Sequence, residues 1–139
     1  MNVDGFDMPH LQIDINRTLA DRTKAALATQ IISLFSEVMR CGTDHIAVSI
    51  REHGTYNLGL GRVEDPSQGI ALVNADIRHG RSLEQRRELA LGFMTALNTL
   101  TGVPPQHVYV TFSEHNGEDF HLYERYLADW RPEEDSSSG

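Results

Sequence analysis

Leu11, Ile13 and Ile15 alternate with Gln12, Asp14 and Asn16, a period of two that predicts a half-buried strand. Leu27, Ile31, Leu34, Phe35 and Val38 then recur every three or four residues and predict one apolar stripe along a helix. Thr18 and Asp21 stand at capping-box spacing ahead of it, and Gly42 is its expected stop. Ile46 to Ile50 is rich in β-branched residues and reads as a strand. His53 to Gly61, with glycines at 54, 59 and 61, reads as a turn or short hairpin, and Glu64 to Gly69, with Pro66, as a linker.

The order then repeats. Ala71, Val73 and Ala75 open a strand ending near Ile77, and Ser82 and Gln85 have capping-box spacing. Leu89 to Leu100 carries the helical stripe until Gly102-Val103-Pro104-Pro105, and Val108 to Phe112 closes as a strand. The repetition is visible residue by residue. Ile46-Ala47-Val48-Ser49-Ile50-Arg51-Glu52-His53 recurs as Val108-Tyr109-Val110-Thr111-Phe112-Ser113-Glu114-His115, a shift of 62 residues without a gap. The same shift carries Asp14-Ile15 onto Asp76-Ile77, and Pro9 onto Ala71.

The expected fold is α/β (α+β): a tandem β-α-β repeat forming a four-stranded sheet with two helices on one face. A helix between two strands makes them parallel, with a right-handed crossover. Residues 1–7 read as an extension, 8–130 as a single domain with repeats 9–63 and 71–125, and 131–139 as a disordered tail. Two helices on one face leave the other uncovered, and Tyr109 or its neighbours are expected to make that face apolar. An exposed apolar face implies a homo-oligomer, with closed cyclic symmetry as the default.

Composition removes several classes of function. The formal net charge of −8 opposes nucleic acid as a general partner, since phosphate recognition needs a basic face. No apolar run approaches the roughly 18 residues of a membrane helix, and no basic-then-apolar opening marks a signal peptide. One cysteine, Cys41, fits a reducing, cytoplasmic setting and reads as a passive helix-end residue. The Glu-His pairs at 52–53 and 114–115 lack metal-ligand spacing, so no metal is expected.

Two features carry chemistry. A chain beginning at Met8 would lose its methionine and expose Pro9, a secondary amine able to act as a base once neutral. Read from Met1, the same nitrogen is a tertiary amide without basicity. Arg78-His79-Gly80-Arg81-Ser82 joins a strand end to a helix start, where forked donors and helix N–H groups suit a carboxylate. The matching turn, Asn16-Arg17-Thr18, offers a single arginine.

Together these residues resemble the tautomerase superfamily, whose β-α-β units occur free or fused in tandem and whose catalytic group is the amino-terminal proline. Pro9-His10-Leu11-Gln12-Ile13 resembles its first strand, and Ile77-Arg78-His79-Gly80-Arg81-Ser82-Leu83-Glu84-Gln85-Arg86 its arginine-bearing turn. The likeness continues through Tyr123 and Arg125, covering about residues 8 to 130. It looks closest to the cis-3-chloroacrylic acid dehalogenase group. That resemblance implies a tautomerase/MIF-like fold and a 4-oxalocrotonate tautomerase-like isomerase, with no cofactor and a small carboxylate substrate. It implies a homotrimer whose sites lie near subunit boundaries. Pro9 would be the base and Arg78 and Arg81 the carboxylate clamp, with Asp44, His79, Tyr109 and Tyr123 as further candidates.

The pattern departs from the dehalogenases at three positions. Phe35 stands where they place a helix histidine, Thr111 where they place a tyrosine, and Leu122 near their activating glutamate. Efficient dehalogenation is therefore not expected. Asp44 falls where malonate semialdehyde decarboxylases carry a functional aspartate, which keeps a lyase or hydratase of three-carbon acids as an alternative. The 5-carboxymethyl-2-hydroxymuconate isomerases share the Gly80-Arg81-Ser82-Leu83-Glu84 turn. With Pro9 internal, a catalytically silent binding protein is the remaining alternative.

Overall fold

The computed structural model describes residues 7–126; most of the expected extension and the tail expected at 131–139 lie outside the described residues. Strand β1 (His10–Ile15) leads through helix α1 (Asp21–Met39) to strand β2 (Ala47–Glu52). Strand β3 (Ala71–Arg78), helix α2 (Leu83–Thr101) and strand β4 (Val108–His115) follow in the same order. The sheet runs β2-β1-β3-β4. The β1–β2 and β3–β4 pairs are parallel, as a helical crossover requires, and β1 meets β3 antiparallel with His10 opposite Asp76.

The alternation along β1 and β3 aims Leu11, Ile13, Ile15, Val73, Ala75 and Ile77 at the helices, all at most 2% exposed. Leu27, Ile31, Phe35 and Met39 of α1 and Leu89, Phe93, Ala96 and Leu97 of α2 meet them in one core. Each large apolar side chain so buried contributes about 1.5–3 kcal/mol. The two helices approach closely at Gly92, where a Cβ would come 2.6 Å from Leu34 Cδ2.

Three local expectations are corrected. The cap of α1 is Ala20, without a side-chain bond, and Thr18 is exposed. The backbone N–H of Leu19 donates instead to the Glu52 carboxylate on β2 at 2.6 Å. Helix α1 ends at Arg40 in the left-handed conformation (φ 56°), two residues before Gly42. The outer sheet face is polar, not apolar. Gln12, Asp14, Ser49, Arg51, Asn74, Asp76, Thr111 and Ser113 cover most of it, and Tyr109 stands exposed beside Leu72. Cross-strand bonds tie this face: Gln12 donates to Asp76 at 2.6 Å, and the Thr111 and Ser113 hydroxyls to Asn74 at 3.1 Å each. Among the described residues no helix is long and apolar enough to cross a membrane.

Candidate active site

The antiparallel β1–β3 register sets the start of one strand against the end of the other. Continuing it two places beyond His10–Asp76 puts Pro9 opposite Ile77 and Met8 opposite Arg78. Pro9 is buried, and its carbonyl accepts from the Ala47 N–H at 3.0 Å, which anchors the start of β1 to β2. As the chain is written, the Pro9 nitrogen is acylated by Met8.

Arg78 ends β3, and Arg81 lies in the turn that leads into α2. Both side chains are 1% exposed. Gly80 has a φ of 105°, a left-handed backbone suited to glycine, and it lets the turn fold Arg81 back against the strand end. Arg81 Nη1 donates to the Met39 carbonyl at 3.0 Å, and Gln85 Nε2 to the Val38 carbonyl at 3.4 Å. The start of α2 thereby satisfies carbonyls left over at the end of α1, and a cation there also suits that helix dipole.

Both guanidinium groups converge on one carboxylate, that of Asp7. Its Oδ2 accepts from Arg81 Nε at 3.0 Å, pairs also with Arg81 Nη2, and lies 3.7 Å from Arg78 Nε. Arg78 Nη1 reaches the His79 carbonyl at 3.3 Å. The Asp7 side chain is 1% exposed, and its Oδ1 is buried without a hydrogen-bond partner among the described residues. The site therefore holds a carboxylate between two cations, two residues from Pro9.

Helix N–H groups contribute less than the sequence suggested. Ser82 and Gln85 form a closed capping box: the Gln85 N–H donates to Ser82 Oγ and the Ser82 N–H to Gln85 Oε1, each at 3.0 Å. Those two amides are spent within the helix, so the guanidinium groups do the anion binding.

The other candidates lie farther out. The His79 side chain is 52% exposed, with its Nδ1 3.9 Å from Glu114. Asp44 is 90% exposed beside His45, on the loop leading into β2 at the Pro9 end of the sheet. Tyr109 pairs with Leu72, roughly 20 Å along β3 from Arg78 at about 3.3 Å per residue. Tyr123 is fully exposed beyond β4. Within one chain, neither tyrosine is brought to the arginine pair. Phe35 is fully buried in the core, Thr111 is exposed, and Leu122 is 41% exposed. Among the described residues no three potential metal ligands cluster.

Sequence reasoning missed Asp7, because the opening residues carry no period. Its one signal was an acid two positions ahead of the Met8-Pro9 pair. It missed equally the His-Asp pairs of the outer face, His53–Asp14 at 2.7 Å and His115–Asp76 at 2.9 Å, which the 62-residue shift superposes.

No family model and no curated protein matches the sequence. Solved structures do match in fold. Pt0534 inactivated by 2-oxo-3-pentynoate is 16% identical with a TM-score of 0.72, covering 82% of this chain and 91% of its own. Leishmania major MIF2 is 14% identical with a TM-score of 0.73, covering 86% and 97%. The F6 fused 4-OT, a wild-type asymmetric trimer, is 19% identical with a TM-score of 0.73, covering 85% and 95%. The four-stranded mixed sheet with two helices is thus a tautomerase/MIF-like β-α-β fold.

Proposed function

We propose that this protein, in a form beginning at Pro9, is a tautomerase-type isomerase acting on a small 2-oxo or enol carboxylate, assembled as a cytoplasmic homotrimer. The observation that carries the reading is the pair of buried guanidinium groups, Arg78 and Arg81, already gripping a carboxylate beside the start of β1. Buried arginines are costly unless paired with an anion, and a fork of donors matches a carboxylate.

The chemistry follows from charge. An amino-terminal amine ordinarily titrates near about 8, and two cations beside it disfavour its protonated form. A neutral ring nitrogen at Pro9 takes the proton from the enol oxygen of the substrate. The C2–O bond becomes a carbonyl, and the proton returns to carbon 3. Nothing is gained or lost in the sum. Arg78 and Arg81 fix the carboxylate, and with it the position of carbon 3 relative to the nitrogen. The fold likeness to the fused 4-OT supports isomerase chemistry and a trimer. The inactivation of Pt0534 by 2-oxo-3-pentynoate supports a small 2-oxo acid as the substrate class.

The test is turnover of phenylenolpyruvate or 2-hydroxymuconate by the chain starting at Pro9, against the same chain with Pro9→Ala. A loss of about 100-fold in kcat/KM is expected, the usual worth of a positioned base. Equal rates would remove the mechanism.

One observation favours a second reading. The Pro9 nitrogen is an amide in the full chain, and the arginine pair is occupied. A protein that keeps this state serves as a non-catalytic binding module, and intact mass of the native protein separates the two: Pro9 first for the enzyme, Met1 or Asn2 first for the module. The lyase or dehalogenase alternative draws less support, since Asp44 faces solvent and Phe35 is sealed in the core.

A further inference from the structure

The arginine pair has an occupant, and the occupant belongs to this chain. The segment Asp7-Met8 lies against the end of β3, with Asp7 2% and Met8 5% exposed. Asp7 reaches Arg81 through two nitrogens and Arg78 through one. A methylene ending in a carboxylate is the chemical equal of a short monocarboxylic acid, and it is held as such an acid would be.

The opposite end of the sheet shows what this placement means. The 62-residue shift carries Asp7-Met8-Pro9 onto Gly69-Ile70-Ala71 and Arg78 onto Asn16. There the lead-in to β3 is fixed by neutral bonds to backbone. Asn16 Oδ1 accepts from the Ile70 N–H at 2.7 Å, and its Nδ2 donates to the Thr55 and Pro66 carbonyls at 2.8 and 2.9 Å. At both ends, then, the residue closing one strand grips the segment that precedes its neighbour. At the β1 end the grip is ionic and side chain to side chain, so another carboxylate can compete for it. The Asp7 Oδ1 is buried and has no hydrogen-bond partner among the described residues.

From this geometry we infer that Asp7 is an internal ligand of the Arg78–Arg81 site, closing it to small monocarboxylates until the leader is displaced or absent. The inference rests on the reading of that site as the substrate-carboxylate clamp. It adds the substrate's anionic form, one short carboxylate, and a latent state in which the arginine pair and the proline nitrogen are blocked together. A tethered group has an effective concentration on the order of millimolar or above, enough to outcompete a weakly held free acid.

The experiment titrates sodium pyruvate into three 15N-labelled proteins: the full chain, full-length Asp7→Asn, and the chain beginning at Pro9. The Arg78 and Arg81 Nε–H signals are followed by NMR. Asp7→Asn and the Pro9 chain are expected to bind pyruvate at least about ten-fold more tightly than the full chain, by removal of the tethered competitor. Equal affinity in all three, or no binding by the two altered chains, overturns the inference. Should Asp7→Asn fail to fold, as judged by circular dichroism, the Pro9 chain decides. Failure of both to fold makes the Asp7 contact a structural requirement and overturns it equally. Binding by the Pro9 chain without turnover of phenylenolpyruvate sinks the isomerase reading and leaves the internal ligand standing, whereas turnover by the intact full chain sinks the internal ligand.

Discussion

Asp14 makes the most densely supported ion pair on the outer sheet face, and replacing it with asparagine isolates that contribution. Arg51 holds the carboxylate with two parallel bonds, Nε to Oδ1 at 2.8 Å and Nη2 to Oδ2 at 2.9 Å, and His53 Nε2 lies 2.7 Å from Oδ1. The Arg51 bonds are the largest cause, with partial burial opposing and His53 adding, of an Asp14 pKa lowered from 3.8 to about 2. Taken at face value, a shift of that size is worth about 2.4 kcal/mol at neutral pH. The pair faces solvent, with Arg51 half exposed, and screening reduces this to about 1 kcal/mol. The sign is fixed by the direction of the shift. A lowered carboxylate pKa gives stability that is complete above the unfolded value near 4 and is lost as pH falls through about 2. About a third of the screened contribution remains at pH 3. Urea unfolding of the parent and of Asp14→Asn, at pH 7 and pH 3 and equal ionic strength, measures the gap directly. A gap of about 1 kcal/mol at pH 7 that falls to about a third of that at pH 3 is expected. A gap independent of pH would show that packing or backbone effects, not the charge, govern the site.

The remaining predictions concern the scaffold that presents the arginines. Gly92→Ala places a methyl 2.6 and 2.7 Å from the two Leu34 methyl carbons, so the half-buried Leu34 must turn aside, and that strain cancels the roughly 1 kcal/mol gained in helix propensity. A rise in melting temperature would refute it. Ser82→Ala breaks the capping box next to Arg81 and is expected to cost about 1 kcal/mol, whereas Thr18→Ala, exposed and outside the α1 cap, stays within about 0.5 kcal/mol of the parent. Denaturant midpoints decide, and equal losses at the two positions would count against the assigned caps.

What the sequence disclosed follows from the range over which each signal acts. Alternation in β1 and the stripe of α1 act over a few residues, and both identified core side chains that the fold buries. The start of α1 was misread because its decisive bond is not local: Glu52, 33 residues on, takes the Leu19 N–H and leaves Thr18 exposed. The 62-residue shift held the better answer. It carries Ser82 and Gly102, the two ends of α2, onto Ala20 and Arg40, the two ends of α1. Neither Ala20 nor Arg40 has a side chain that advertises a cap or a left-handed turn, so residue type concealed what position disclosed. The polar outer face was legible in the same alternation that gave the core, read for its other phase. The convergence of Arg78 and Arg81 was legible too, since a strand end and a helix start frame it. Their partner Asp7 was not, because a contact spanning 74 residues of chain leaves no periodic trace.

Why the proposed amine chemistry is assigned to one end of the sheet can be argued from the other. Below the end of β1, Asn16, Arg17, Thr18, His53, Gly54, Thr55 and Ser67 line an open cleft of about 400 Å³. The place of Pro9 is taken there by Ala71, whose nitrogen is fixed as an amide by the residues that join the two β-α-β units. The place of Arg78 is taken by Asn16, whose oxygen and nitrogen are both committed to the backbone of Ile70, Thr55 and Pro66. A neutral amide so bonded offers an incoming carboxylate no charge, and displacing it would leave the buried Ile70 N–H without its partner. The asymmetry is therefore forced by connectivity. A segment covalently continuous on both sides is held by neutral bonds to backbone, whereas the β1 lead-in meets Arg78 and Arg81 through the Asp7 carboxylate, an ionic contact for which a free acid can compete. The proposed pairing of an exchangeable anion site with a freed ring nitrogen is accordingly assigned to the β1 end.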